Sequence, residues 1–330
     1  MNTCIIGAGA WGTAMAIHLA RCGHTVSLAT RTIEQAMLLT STRENRSYLP
    51  GCQLDANIQI GCELKPLLME AELVFLAVPS QSLRTVCQAL QQSQETAHHL
   101  RLVIALCKGL EQQTRLAPCE LIAEELPDLP CAVLTGPTFA GEIAIGRPAA
   151  MVLSGKTDLN LLESFQKLIS NTMLRVYTSS DYKGVQLGGC LKNVYAIAAG
   201  ICDGLQLGDN AKASLLTRAL AEMVRFGTEL GGATHTFYGL SGFGDLIATS
   251  NGLWSRNRTF GQKLAQGAGI QPLVYSMTIE GYYSTASFSA LAKTLNVKTP
   301  ILEELNAVLY KGKDPKMALV SLMDRDLKQE

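Results

Sequence analysis

Asn2-Thr3-Cys4-Ile5-Ile6-Gly7-Ala8-Gly9-Ala10-Trp11-Gly12-Thr13 is a short apolar run that leads into Gly7-x-Gly9-x-x-Gly12. Thr13-Ala14-Met15-Ala16-Ile17-His18-Leu19-Ala20 follows with helical character, and Thr25-Val26-Ser27-Leu28-Ala29 then reads as a second strand. Strand, glycine turn and helix in that order make the fingerprint of a dinucleotide site. Gly7 permits the tight turn, Gly9 lets the backbone approach a pyrophosphate, and Gly12 lets the helix pack close to the strand. The free N–H groups and positive end of the helix then face the phosphates. An NAD-selective site carries an acidic residue about twenty positions past the glycines. Here that place holds Thr30-Arg31, and an arginine suits a 2′-phosphate. The expected cofactor is therefore NADPH or NADH, with NADPH preferred or at least accepted.

Working outward, residues 1–178 read as strands alternating with helices. Apolar runs at 71–79, 102–106, 132–135, 150–153 and 174–177 are the further strands, with a helix over 81–91 and a loop at Asn45-Arg46-Ser47-Tyr48-Leu49-Pro50-Gly51. Near-continuous apolar strands between helices indicate a parallel sheet covered on both faces. Ligands bind outside the carboxyl ends of such strands, which here carry Gly7, Val78-Pro79-Ser80, Lys108-Gly109 and Gly136-Pro137-Thr138. From residue 179 the strand-like runs stop. Helical spacing takes over at 181–204, 211–230, 256–266, 284–295 and 300–310, broken by the loop Gly239-Leu240-Ser241-Gly242-Phe243-Gly244-Asp245. The expected fold is α/β: an N-terminal Rossmann-like, doubly wound parallel sheet (1–178) that binds the dinucleotide, and a C-terminal all-helical domain (179–330) that binds the substrate.

Bulk properties narrow the classes. The 330 residues are 47% hydrophobic, enough for two cores, and 28 basic residues balance 28 acidic ones. No basic footprint for nucleic acid or an anionic membrane surface is present. Ten cysteines occur with no C-x-x-C pair, in apolar and polar stretches alike. Reduced thiols in a cytoplasmic protein fit this better than a disulfide frame or a zinc site. With the first strand at residue 2, no signal peptide is expected, and no apolar run is expected to reach the length of a membrane span.

Four constellations carry possible chemistry. Lys192 is the only charged residue from Val185 to Cys202. A helix this apolar is buried nearly all round, so its lysine snorkels, pairs or works. Gly188 and Gly189, one turn earlier, open space for a ligand or for a neighbouring helix. A desolvated lysine has its pKa lowered toward neutrality, as an acid/base needs. Lys108 sits just past a strand on the ligand-binding edge. Ser255-Arg256-Asn257-Arg258 offers two guanidinium forks, an amide and a hydroxyl as an anion clamp. Asp245, among three glycines, suits either a helix cap or the orienting of a substrate hydroxyl or of Lys192. The five histidines form no ligand spacing, so no metal is expected.

Together these motifs resemble the NAD(P)-dependent glycerol-3-phosphate dehydrogenases of the bacterial type. The likeness covers essentially the whole chain. It rests on Gly7–Thr13, Tyr48-Leu49-Pro50-Gly51, Val78-Pro79-Ser80-Gln81, Lys108-Gly109-Leu110, Gly136-Pro137-Thr138-Phe139-Ala140, Leu187–Gly200, Gly208-Asp209-Asn210-Ala211-Lys212, Gly242–Leu246, Ser255–Arg258 and Glu280-Gly281, in that order. The resemblance implies reduction of dihydroxyacetone phosphate to sn-glycerol 3-phosphate, the backbone precursor of phospholipids, with Lys192 as the acid/base. By the same resemblance Lys108, Gly136, Thr138, Lys192, Asp245, Ser255, Arg256 and Asn257 line the substrate pocket. Trp11, Arg31, Lys108, Ala140, Arg256, Thr278 and Glu280 meet the cofactor, beside Gly7, Gly9 and Gly12. A homodimer is common in similar proteins. The chain departs from the family pattern at Cys107, commonly serine, and at Gln186, commonly glutamate, which is expected to leave one fewer charge near Lys192. Two rivals remain at this stage: a related β-hydroxyacid-type dehydrogenase with another substrate, and a non-catalytic NAD(P)H-sensing protein.

Overall fold

The structure, a computed structural model, describes residues 1–327 and residue 329. The chain forms two compact units, residues 1–107 with 117–186 and residues 108–116 with 187–330. The expected boundary at 178/179 falls one residue before the end of the last strand, at Ser179. The units themselves divide at Gln186/Leu187, and the segment Lys108–Leu116 goes with the second.

The first unit is built on one sheet of eight strands: β1 (Asn2–Ile6), β2 (Thr25–Ala29), β3 (Gln59–Gly61), β4 (Leu73–Leu76), β5 (Leu102–Ala105), β6 (Cys131–Thr135), β7 (Ala149–Lys156) and β8 (Leu174–Ser179). Their spatial order is β3-β2-β1-β4-β5-β6-β7-β8. Through β6 this is the order of a dinucleotide-binding sheet, whose winding reverses between β1 and β4. Ile6 pairs with Ala29 on one side and Leu76 on the other, so β1, β2 and β4 end at one edge. Gly7 leaves β1 at that switch point. β1, β4, β5 and β6 are apolar and almost wholly buried, because helices cover both faces. The Ala10–Arg21 helix buries Ala14, Met15, Ile17 and Leu19 against Ile5, Leu28 and Phe75 in one continuous core.

Two expectations need correction. The sheet is not purely parallel, since β7 runs antiparallel to β6 with Leu134 opposite Leu153. The link between them holds only the five-residue helix Ala140–Ala144, about 7 Å long. That helix does not return the chain along a strand of about 17 Å, so β7 starts where β6 ends. β8 then lies parallel to β7. The second correction is the short strand β3, placed on β2 at the sheet edge. Three half-exposed residues give no readable alternation.

The second unit is helical. Helices Tyr182–Gly204 (whose first five residues belong to the first unit), Asp209–Glu229, Arg256–Ala265, Glu280–Thr294 and Pro300–Lys311 answer the expected segments, and Asp245–Asn251, Ile270–Ser276 and Pro315–Met323 join them. Phe226 meets Phe288 edge-on at 5.8 Å between ring centres, a favoured aromatic geometry. The Tyr182–Gly204 helix corrects the expectation about membrane-length runs. It is long and apolar enough to cross a membrane, yet 94% of its apolar stretch is buried inside the protein. It is a core helix.

Candidate active site

The three glycines of the turn do different work. Gly7 has φ +113°, and a Cβ there would lie 2.6 Å from the Ala77 carbonyl oxygen. A Cβ on Gly12 would run into the carbonyl of Gly7. Gly9 faces open space. The first and third glycines are required by packing, and the second leaves room that a ligand backbone contact needs. The Ala10–Arg21 helix has no side-chain cap and no acidic residue in its first turn, so its leading N–H groups are available to an anion. Trp11 Nε1 in that turn and Thr135 Oγ1 at the end of β6 are buried without a partner among the described residues. Buried donors of that kind normally have one. An open glycine, an uncapped helix end and orphaned polar atoms fit a dinucleotide.

Arg31 is exposed just past β2. Thr30 before it is buried and donates to the carbonyls of Thr32 (2.9 Å) and Gly61 (3.2 Å). Past β6, Gly136 has φ +155°, and Thr138 Oγ1 donates to its carbonyl at 3.2 Å. Ala140 opens the short helix that follows.

In the second unit the structure brings Lys108, Lys192 and Asp245 into one buried cluster. Asp245 Oδ2 accepts from Lys108 Nζ at 2.6 Å, and Oδ1 accepts from Lys192 Nζ at 2.9 Å. Asp245 begins the Asp245–Asn251 helix. The glycine segment before it is a single wide turn, Leu240–Gly244, with Gly244 N–H bonded to Gly239 O at 3.1 Å. Such turns favour functional sites. The Asp245 carboxylate goes to the two lysines and caps no helix. Gly188 resolves in favour of packing: a Cβ there would sit 2.9 Å from Ser241 O.

Burial pushes the Lys192 pKa down to about 8; Asp245 opposes this, and Lys108 and Arg256 add to it. Burial pushes Asp245 up, but the Lys108 and Lys192 ammoniums outweigh it and hold the carboxyl below its ordinary range. Lys192 spends a second hydrogen on Thr249 Oγ1 at 2.6 Å, and Thr249 donates to Asp245 Oδ1 at 3.1 Å. An ammonium has three donors, which leaves one for a ligand.

The four-residue clamp separates into roles. Ser255 Oγ caps the Arg256–Ala265 helix, accepting from Arg258 N–H at 3.2 Å. Arg256 is exposed at the first helical position. Arg258 is committed to Asp203 at 2.5 Å, which also takes Lys212 Nζ at 3.0 Å. Asn257 is buried and bonds at both ends, Nδ2 to Asn193 Oδ1 (2.8 Å) and Oδ1 from Gly281 N–H (3.0 Å). Asn193 Nδ2 in turn donates to Lys108 O at 2.7 Å. This amide chain ties Lys108 to the start of the Glu280–Thr294 helix, where Glu280 lies with Thr278 shortly before it.

Sequence reasoning missed Thr249 and Asn193. Thr249 stands one helical turn from Asp245, so helical spacing could have found it. Gln186 corrects an expectation, because its side chain accepts from Cys119 N–H (3.1 Å) and donates to Glu120 Oε2 (2.7 Å). It serves the uncapped start of the Pro118–Glu125 helix, and its neutrality bears on Glu120, where a glutamate would repel. Among the described residues no group of three His, Cys, Asp or Glu could hold a metal.

Residues 2–160 match the family model for the N-terminus of NAD-dependent glycerol-3-phosphate dehydrogenase, and residues 181–320 match that for its C-terminus. The chain is 44% identical to the Thermus thermophilus protein named glycerol-3-phosphate dehydrogenase, NAD(P)+, with 100% of both covered. It is 40% identical to the Thiobacillus denitrificans protein of the same name, again over the full length of both. The crystal structure of glycerol-3-phosphate dehydrogenase from Coxiella burnetii shares 34% identity with a TM-score of 0.92, covering 98% of each chain. A ketopantoate reductase of the PanE/ApbA family from Ralstonia eutropha, at 17% identity and a TM-score of 0.57, shares the fold alone.

Proposed function

Because the chain belongs to the NAD-dependent glycerol-3-phosphate dehydrogenase family, we propose that it carries out one hydride transfer, with the glycine turn binding the dinucleotide and Lys192 supplying the proton that a phosphorylated ketone needs. The chain reduces dihydroxyacetone phosphate to sn-glycerol 3-phosphate with NADPH or NADH, reversibly, and supplies the glycerol backbone for phospholipid synthesis. NAD(P)H, when bound, supplies the hydride for C2. The single observation that carries the proton half is Lys192, a buried ammonium held at 2.9 Å by Asp245 with a donor to spare.

Lys192 gives a proton to the C2 carbonyl oxygen during reduction and takes it back in oxidation. Lys108 places a second positive charge where the oxygen becomes negative, the kind of preorganised stabilisation that lowers a barrier most. Asp245 holds the two ammoniums together against their repulsion. Arg256 provides a two-pronged fork for the phosphate, assisted by Ser255 and Asn257, and Gly136 and Thr138 complete the substrate's lining. Gly7, Gly9, Gly12, Trp11, Arg31, Lys108, Ala140, Arg256, Thr278 and Glu280 meet the cofactor, with Arg31 on the 2′-phosphate. Ten cysteines outside any disulfide suit a reducing, cytoplasmic compartment, and the working form is a homodimer.

The test is oxidation of NADPH, then of NADH, on adding dihydroxyacetone phosphate. Turnover with both, faster with NADPH, is expected. Turnover of carboxylate ketones but not of the phosphate would overturn the substrate. Arg31→Asp is expected to swing preference toward NADH, and an unchanged NADPH/NADH ratio would remove Arg31 from cofactor choice.

A further inference from the structure

Ala8 lies inside the glycine turn, and its carbonyl oxygen receives two side-chain donors, Gln35 Nε2 at 3.1 Å and Asn45 Nδ2 at 3.0 Å. Asn45 is buried and also donates to Thr13 Oγ1 at 2.8 Å. A carbonyl oxygen has two lone pairs, so both are occupied. This matters because a bare carbonyl in an anion-binding turn repels phosphate. The Ala8–Gly9 peptide is planar and trans, so fixing its oxygen also fixes the opposite direction of the Gly9 N–H.

Gln35 makes a second link. Its Oε1 accepts from the Arg31 backbone N–H at 3.4 Å, and its own backbone N–H donates to Thr32 Oγ1 at 3.3 Å. One amide side chain therefore joins the pyrophosphate turn to the residue past β2. Asn45 reaches the turn and the helix behind it but makes no such link.

We propose that Gln35 is a positioning residue for NADPH-over-NADH discrimination: it sets Arg31 in register with the glycine turn, whereas Asn45 shapes the turn alone. The proposal rests on the reading that this turn binds the dinucleotide and that Arg31 meets the 2′-phosphate.

The test is the dissociation constant of NADPH and of NADH, read by quenching of protein fluorescence, in the full-length protein and in Gln35→Ala, Asn45→Ala, Arg31→Ala and the Arg31→Ala/Gln35→Ala double variant. Thermal melts confirm that each folds, and Gln35 is only half-buried. Losing one hydrogen bond to the turn is expected to weaken both nucleotides about fivefold in Asn45→Ala, with their ratio unchanged. Gln35→Ala is expected to weaken NADPH at least about threefold more than NADH, and that excess disappears in the Arg31→Ala background, as coupled residues require. A ratio in Gln35→Ala within about twofold of wild type, where Arg31→Ala does shift it, overturns the proposal alone. A ratio that Arg31→Ala itself leaves unchanged overturns the Arg31 reading and the proposal with it.

Discussion

Asp245 and Lys192 are best understood as one unit of charge placement. The aspartate holds the lysine pKa up, and burial, with Lys108 and Arg256, pushes it down to about 8. A proton donor must be protonated, so kcat/KM for ketone reduction is expected to fall as pH rises through about 8, with oxidation of glycerol 3-phosphate rising in mirror image. Asp245→Asn removes the one charge that favours the ammonium, so the fall moves to lower pH; a fall that stays put would show another group titrating. Arg256→Ala is expected to raise KM for dihydroxyacetone phosphate far more than it lowers kcat, because it deletes a contact made equally in ground and transition states. Steady-state kinetics at saturating NADPH checks this. At this scale Lys192 was legible in the sequence because one charge in an apolar helix has few explanations. Asp245 was ambiguous, since a residue beside glycines can cap or can work. Asn193 sits beside Lys192 in sequence, yet its side-chain amide donates to the Lys108 carbonyl across 85 positions, and no local pattern encodes that.

Elements show where close approach is built in. A Cβ on Gly200 would enter the Arg258 carbonyl, so the lysine helix lies hard against the helix that carries Arg256. Gly200→Ala is expected to cost about 1–3 kcal/mol from overpacking, read as a lower urea midpoint at unchanged slope. In the first unit His18 is buried in the Ala10–Arg21 helix, with Nε2 bonded to Ile169 O at 2.7 Å. Burial lowers its pKa, the Ile169 carbonyl opposing and Arg21 and His24 adding to the fall. The folded pKa thus lies below the unfolded value. Its stabilisation is complete above about pH 6.5 and is lost as pH falls from there through the folded pKa. Urea midpoints at pH 7 and pH 5 should differ more in wild type than in His18→Asn, and equal differences would exclude His18. The buried strands and long helices were readable from their periodicity. The reversal of β7 was not, because only the length of the intervening helix decides it, and Gln186, though it precedes Lys192 in the same helix, bonds to the start of the Pro118–Glu125 helix.

At the scale of the molecule, two folding logics share one chain. Continuous apolar strands build a sheet whose switch point exposes a glycine turn. A core helix of membrane length builds a helical unit around a single amine. Composition separated the two halves, but composition also concealed that the lysine helix meets the length of a membrane span; only its burial identifies it as core. We propose that Lys192 transfers the proton in dihydroxyacetone phosphate reduction. The most direct measurement is kcat of Lys192→Ala for NADPH oxidation by dihydroxyacetone phosphate, alongside its NADPH dissociation constant. A loss of about 10²–10⁴-fold in kcat, with nucleotide binding nearly unchanged, is expected. Near-normal turnover by the folded variant would contradict it.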